Sequence, residues 1–240
     1  MRASGVEKNA LKPWLKEQWC IPPETNAEFV AAMEEVLAVY TQPEDPDEPL
    51  VCFDETSKQL VKETRMPLPM EPGQPLRYDY EYERNGVANL FLFYEPLSGG
   101  RHICVTNRRT KVDFAHQMKW LVDERYPDAR RVRVVMDNLN THSFGSLYEA
   151  FPPEEARRIR ERLIFVHTPK HGSWLNMAEI EFSVLTNQCL NRRMENVSFL
   201  RQEVEAWERE RNRKGNRIDW RFTTEDARIK LKHLYPSISD

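Results

Sequence analysis

Apolar positions recur along this chain with two different periods, and the change comes near residue 50. Before it, Phe29, Met33, Leu37 and Tyr40 return at spacings of four, four and three, which predicts a helix over Asn26–Tyr40 with Thr25 or Asn26 placed to cap it. Thr41–Pro49 sets three prolines among acidic residues and predicts a stiff, solvated linker. Beyond it the pattern turns to strands. Leu50–Phe53 is an apolar run, and Lys58–Pro75, with four prolines at 67, 69, 72 and 75, reads as an irregular surface excursion. Tyr78–Glu83 alternates, Asn85-Gly86 predicts a tight turn into Ala88–Tyr94, and Ser98-Gly99-Gly100 turns into His102–Thr106.

The helical period then returns. Lys111–Tyr126 carries Phe114, Met118 and Leu121 on one face, and Val132–Met136 is a continuous apolar strand. Phe144–Phe151 and Glu154–Leu163 read as helices, and Ile164–His167 as the last short strand. Leu175 to about Arg193 is a helix with an apolar stripe through Leu175, Ala178, Phe182, Leu185 and Cys189, followed by helices over Phe199–Arg211 and Asp226–Leu234. Three strands joined by short connections, then two reached through helices, predict an α/β domain: a mixed five-stranded sheet flanked by helices on both faces. That order fits an RNase H-like domain, in which the first strand lies beside the strand that follows the first helix. Asp54 and Asp137 would then meet at one edge of the sheet.

Composition narrows the class. The chain has 240 residues, of which 40% are hydrophobic and 10% aromatic, enough for a packed core. It has no apolar run near the roughly 20 residues of a membrane span, and Met1–Gly5 leads into no apolar signal stretch. A soluble, cytoplasmic protein with no membrane partner is expected. Cys20, Cys52, Cys104 and Cys189 are scattered outside any CxxC pair and read as free thiols. His167 and His171 have a helical ligand spacing, but Pro169 between them and the lack of nearby cysteines argue against zinc. The net charge of −3 is unevenly spread: residues 1–120 carry 14 Lys+Arg against 19 Asp+Glu, residues 121–240 carry 21 against 19. A nucleic-acid surface would therefore be a local basic stripe rather than a global charge.

The candidate chemistry lies in three acidic residues. Asp54 closes the run Leu50–Phe53, Asp137 closes Val132–Met136, and Glu179 lies where a loop enters a helix, in Gly172-Ser173-Trp174-Leu175-Asn176-Met177-Ala178-Glu179. A carboxylate at the end of a buried strand has a fixed backbone and a side chain that reaches the cleft at the sheet edge. Three such groups can hold two divalent ions for phosphoryl transfer. An aspartate at a strand end is also a common turn former or cap. Helical geometry alone does not choose between Glu179 and Glu181, because both flank the apolar stripe. Lys170, with the following helix N-terminus, can take a backbone phosphate, and Trp174 either stacks on a base or fills a core. Arg157, Arg158, Arg160 and Arg162, interleaved with acids, fit a solvated face as well as a DNA surface, and Arg192-Arg193 forms a second basic pair.

Two long motifs carry a resemblance. Asp137-Asn138-Leu139-Asn140-Thr141-His142, and Thr168-Pro169-Lys170-His171-Gly172-Ser173-Trp174-Leu175-Asn176-Met177-Ala178-Glu179-Ile180-Glu181, resemble the transposases of the bacterial insertion-sequence 630 family, within the mariner superfamily. Phe53-Asp54-Glu55, Cys189–Arg193, Trp220–Thr223 and Asp226-Ala227-Arg228 extend it over roughly residues 12–236. Met177-Ala178 stands where the superfamily often has Pro-Ile. The resemblance implies an RNase H-like DDE catalytic domain over residues 49–240, with C-terminal helices. Residues 1–48 would be the remnant of an N-terminal helix-turn-helix region, with a linker helix and the acidic linker. It implies Asp54, Asp137 and Glu179 as the catalytic, metal-binding triad. Asn138 and His142 would orient a carboxylate, contact phosphate or only shape the turn, and Glu181 would be solvated or a second layer behind the site. Lys170, His171, Trp174, Asn176, Arg192 and Arg193 become candidates for DNA contact. The cofactor implied is Mg²⁺, with Mn²⁺ as substitute, as two ions. The partners implied are double-stranded DNA, at the element's ends and at the target, and a second copy on that DNA. Location would be the bacterial cytoplasm, at the nucleoid when bound to DNA. Two rivals share these residues: another RNase H-like nuclease, and a catalytically silent copy that binds DNA or interferes with the full-length enzyme. No GxSxG elbow supports a serine hydrolase.

Overall fold

The computed structural model describes residues 21–237. Five strands, β1 (Leu50–Glu63), β2 (Tyr82–Tyr94), β3 (Arg101–Thr106), β4 (Val132–Met136) and β5 (Leu163–His167), form one sheet in the order β3-β2-β1-β4-β5. β1, β2 and β3 pair antiparallel; β4 and β5 run parallel to β1. The helices are α1 (Ala27–Thr41), α2 (Lys111–Trp120), α3 (Gly145–Ala150), α4 (Pro153–Glu161), α5 (Met177–Leu185), α6 (Val197–Lys214) and α7 (Thr224–Lys230). This is the mixed, RNase H-like α/β sheet expected from the pattern.

Alternation along the strands sorts the side chains into two cores. Leu50 and Cys52 of β1 pack with α1, α5, α6 and α7, among Met33, Leu37, Leu185, Val204 and Ala227. Val51 and Phe53 pack on the other face with α2, α3 and α4, among Phe114, Met118, Leu147 and Ile159. The stripe through Leu175, Ala178, Phe182, Leu185 and Cys189 is buried throughout. α5 is shorter than its apolar pattern: after Leu185 the chain widens into a π turn over Thr186–Leu190.

Two expectations about strands fail. β1 does not stop at Phe53 but runs on to Glu63, paired with β2 as a long ribbon, so Asp54 lies inside a strand. Asn85-Gly86 does not make a hairpin. It sits within β2, where the register shifts between Gln59↔Val87 and Val61↔Arg84. One extra β2 residue is accommodated there, and Gly86 adopts φ +88°, open to glycine at little cost. The irregular excursion, expected over Lys58–Pro75, lies instead over residues 64–81 and takes in residues 78–81 of the alternating run. The acidic linker is also less free than its prolines suggest: the backbone carbonyls of Asp47 and Pro49 accept from the amides of Arg131 and Arg133, and Glu48 pairs with Arg130 and Arg131.

α1 is built into the body. Asn26 caps it through Phe29 N–H, and the Asn26 amide donates to the carbonyl of Leu234. Glu34 takes a bidentate pair from Arg228 of α7. Residues 1–20, where a trace of a DNA-recognition region is expected, lie outside the described residues, as does Cys20. If α1 is part of the catalytic core, Leu37→Ala should cost about 2–5 kcal/mol, as for other fully buried leucines. Chemical denaturation measures this, and a loss below about 1 kcal/mol would make α1 an appendage instead.

Candidate active site

β1 and β4 pair only from Leu50↔Arg133 to Cys52↔Val135, and beyond that point they part. The site is the cleft that opens there. It has a volume of about 430 Å³ and is lined by Asp54, Glu55, Thr56, Asp137, Glu179, Phe182, Ser183 and Thr186. Asp54 has the parity of Leu50 and Cys52 and so points to the α5 side of the sheet. Asp137 follows β4 directly, and Glu179 sits in the first turn of α5. The fold thus gathers all three sequence-predicted carboxylates into one cleft.

The electrostatics are unbalanced. Burial pushes Asp54 up to about 8; the Glu55 N–H on its Oδ1 at 2.8 Å opposes the shift, and the charges of Glu179, Asp137 and Glu55 add to it. Burial raises Glu179 too; a hydrogen bond with the Ser173 side chain opposes this, and Asp137 reinforces it. Burial also works against the charge on Asp137, but the hydrogen bond and charge of His142 outweigh it and leave Asp137 below its ordinary range.

His142 is the device behind the cleft. Its Nδ1 lies 2.6 Å from Asp137 Oδ1 and its Nε2 lies 2.7 Å from Glu55 Oε2. Burial disfavours the imidazolium, yet the two carboxylates prevail and raise it to about 9. Glu55 was not singled out by sequence reasoning. Its signal was parity: next to Asp54, it must point to the opposite face, where His142 packs against Phe53 and Phe114. Asn138 is exposed. His167 lies 3.2 Å through Nδ1 from the Asp137 carbonyl. Among the described residues no three His, Cys, Asp or Glu side chains stand close enough to grip one metal ion as placed. The chemistry of the donors nonetheless fits a divalent cation: hard oxygens, mutually repelling, with two of the three held above their ordinary pKa.

The structure separates the two glutamates that helical spacing left open. Glu181 is neither solvated nor behind the cleft. It is fully buried on another face of α5, where Arg101 approaches to 2.8 Å and Arg211 donates through Nε and Nη2 at 3.1 Å each. Only Glu179 lines the cleft.

Several candidates for DNA contact are tied up inside the protein. Asn176 is buried, hydrogen-bonded to Phe53 O and Ala178 N–H, so it is not a surface for DNA. Trp174 packs edge-on against Phe222. Arg192 pairs with Glu203, and Arg193 pairs with Glu63 while stacking over Tyr78 and Tyr82, which braces the β1–β2 ribbon. Arg157 and Arg158 pair with Glu161, Glu155 and Asp123. Lys170 and His171 are exposed on the turn before α5, His171 with φ +65°. Gly172 closes that turn, since a Cβ there would meet Pro169 Cγ at 2.4 Å.

These environments set opposite expectations for the two glutamates. Glu181→Ala strands a buried arginine charge and should cost about 3–5 kcal/mol, whereas Glu179→Ala relieves repulsion and should cost no more than about 1 kcal/mol; denaturant melts of the two variants decide it. A second expectation concerns pH. Asp54 is raised from 3.8 to about 8 and His142 from 6.5 to about 9, so both bind protons more tightly folded than unfolded. The stability from Asp54 is fully present below 3.8 and is lost as pH rises through about 8; that from His142 is present below 6.5 and lost through about 9. The melting temperature in EDTA should fall across this range, and Asp54→Asn should flatten its lower part. An unchanged slope in Asp54→Asn would show that Asp54 is ionised throughout.

No curated protein matches the chain by sequence. Among solved structures it resembles the Mos1 mariner strand transfer complex (16% identity, 85% of this chain and 62% of that one, TM-score 0.55) and the Mos1 mariner paired-end complex with Mn (15%, 85% and 62%, 0.54). It also resembles the catalytic domain of Mos1 mariner transposase (13%, 82% and 90%, 0.53). The chain thus spans 62% of the mariner chains in those two complexes, and at these identities the likeness establishes the fold. The sequence profile of the DDE superfamily endonucleases matches residues 49–201, which take in β1 through the start of α6 and all three cleft carboxylates. A chain with this match over most of its length, on this fold, belongs to the DDE superfamily of endonucleases.

Proposed function

We propose that this chain is the catalytic part of a DNA transposase of the insertion-sequence 630 type, with Asp54, Asp137 and Glu179 as its metal-binding, catalytic triad. The observation that carries the reading is the convergence of these three carboxylates in an open cleft whose own charges leave them repelling one another. The reaction proposed is hydrolysis of phosphodiester bonds at an element's ends, then joining of a DNA 3′-hydroxyl to target DNA.

Bound divalent ions, Mg²⁺ or Mn²⁺ and two in number, would supply Lewis-acid activation of the attacking oxygen and charge neutralisation at the leaving oxygen. The protein's part is to place the ligands. Asp54 would be fixed by its position inside β1, and Glu179 by the first turn of α5. Asp137 would be oriented by His142, whose second nitrogen is held by Glu55; such partners behind a ligand fix its direction. Openness suits a polymeric substrate that must bring its phosphate to the carboxylates. Mos1 mariner, whose catalytic domain has this fold, has been seen with Mn, with Mg and with a transposon end. We extend that to this chain as double-stranded DNA substrate and a second copy on the DNA. Lys170 and His171, exposed on the turn before α5, are candidates for phosphate contact.

Nicking of supercoiled plasmid by the purified chain tests the reading. Mg²⁺ or Mn²⁺ should support it and EDTA abolish it, and Asp54→Asn, Asp137→Ala and Glu179→Gln should each lower it by about 10²-fold or more. Full nicking by Asp137→Ala would remove the triad assignment.

A further inference from the structure

One buried side chain links the strand of Asp54 to the helix of Glu179. Asn176 has 0% of its surface exposed. Its Nδ2 donates to the Phe53 carbonyl at 2.9 Å, and its Oδ1 accepts from Ala178 N–H at 3.1 Å. Its backbone carbonyl accepts from Glu179 N–H at 3.1 Å, and its own amide donates to Ser173 O at 2.8 Å. The Phe53 carbonyl belongs to the peptide unit that carries the Asp54 N–H. A single residue therefore touches the peptide leading into one cleft carboxylate and the amide of another.

The link falls where β1 keeps β2 on one side but has lost β4 on the other. β4 pairs with β1 only as far as Cys52↔Val135, so at Phe53 and Asp54 it has already left. An N-cap needs only an acceptor. The other asparagine caps, Asn26 and Asn196, each accept from the amide three residues on, neither is buried, and the donor of Asn196 goes only to its neighbour Glu195. Asn176 adds a donor, aimed across to β1 in a site without water access. Serine could cap but not reach, and aspartate has the reach without the donor.

We infer that Asn176 is a positioning residue that couples Asp54 to Glu179, fixing β1 and α5 to each other so that both carboxylates open on one cleft, and that divalent-ion affinity depends on this link. The inference rests on the triad reading above and assigns Asn176 no contact with substrate.

The test uses the whole chain and compares wild type with Asn176→Ser, Asn176→Ala and Asp137→Ala. Mn²⁺ binding is read by electron paramagnetic resonance, folding by circular dichroism melts, and nicking as a function of Mn²⁺ concentration. Serine retains the cap and loses the bridge. Asn176→Ser should therefore bind Mn²⁺ about tenfold or more weakly, as should Asn176→Ala, and its nicking should recover at high Mn²⁺. If Asn176→Ser binds Mn²⁺ like wild type while Asp137→Ala does not, Asn176 is only a cap and the coupling is refuted. If Asp137→Ala also binds like wild type, the triad reading itself fails and the coupling falls with it. Should Asn176→Ser not fold, hydrogen exchange of the wild type decides: Mn²⁺ should protect amides 53–55 and 177–180 together, and protection of one segment alone overturns the inference.

Discussion

Like charges do not gather at the end of an apolar strand unless the rest of the fold holds them there. Asp54 follows Phe53, buried in the aromatic packing of Phe91, Phe93 and Phe114, so its backbone cannot retreat from its neighbours. Asp137 is delivered by a strand whose five residues are all buried, and Glu179 by a helix anchored on its far side. Burial raises the pKa of Asp54 and Glu179, the charges of neighbouring carboxylates add to the shift, and the two cores that hold these elements in place sustain the arrangement.

Charge is handled in three ways around this region. In the cleft no basic residue is among the lining side chains. At the back of the cleft, Glu55 and Asp137 share His142, which compensates Asp137 and fixes its direction. On the opposite face of α5, Glu181 is compensated by Arg101 and Arg211, and Arg101 also reaches Asn212 and the carbonyl of Asn216 and stacks over Tyr94. That network ties α5 to β3 and α6. Two glutamates two residues apart on one helix thus have unrelated roles, because a helix turns about 200° between them.

The arginines tell a parallel story. A basic residue read in isolation invites a nucleic-acid assignment, but most of those singled out here close internal contacts. Arg193 stacks over Tyr78 and Tyr82 beside the β1–β2 ribbon, and the segment around it receives Lys58, Asn85 and Val61 from the ribbon. The ribbon is therefore held by packing and hydrogen bonds rather than left to swing.

Periodicity by itself determined much of this protein. It determined the five strands, the order of helices between them and the buried faces, because burial on one or two sides imposes a period that local sequence must obey. It also brought out Asp54 and Asp137 as acids where apolar runs end. What it left open required partners distant in sequence. Whether Asn85-Gly86 turns or bulges depends on where β1 ends, and β1 continues past Asp54 because β2 offers a partner as far as Glu63. Whether Glu179 or Glu181 faces the cleft depends on which side of α5 meets the sheet, and Arg101 and Arg211 lie 80 and 30 residues away in opposite directions. Glu55 and Asn176 had no distinctive spacing: their roles come from a histidine 87 residues on and a carbonyl 123 residues back. Local sequence sets which face an element buries; only tertiary contact sets what that face meets.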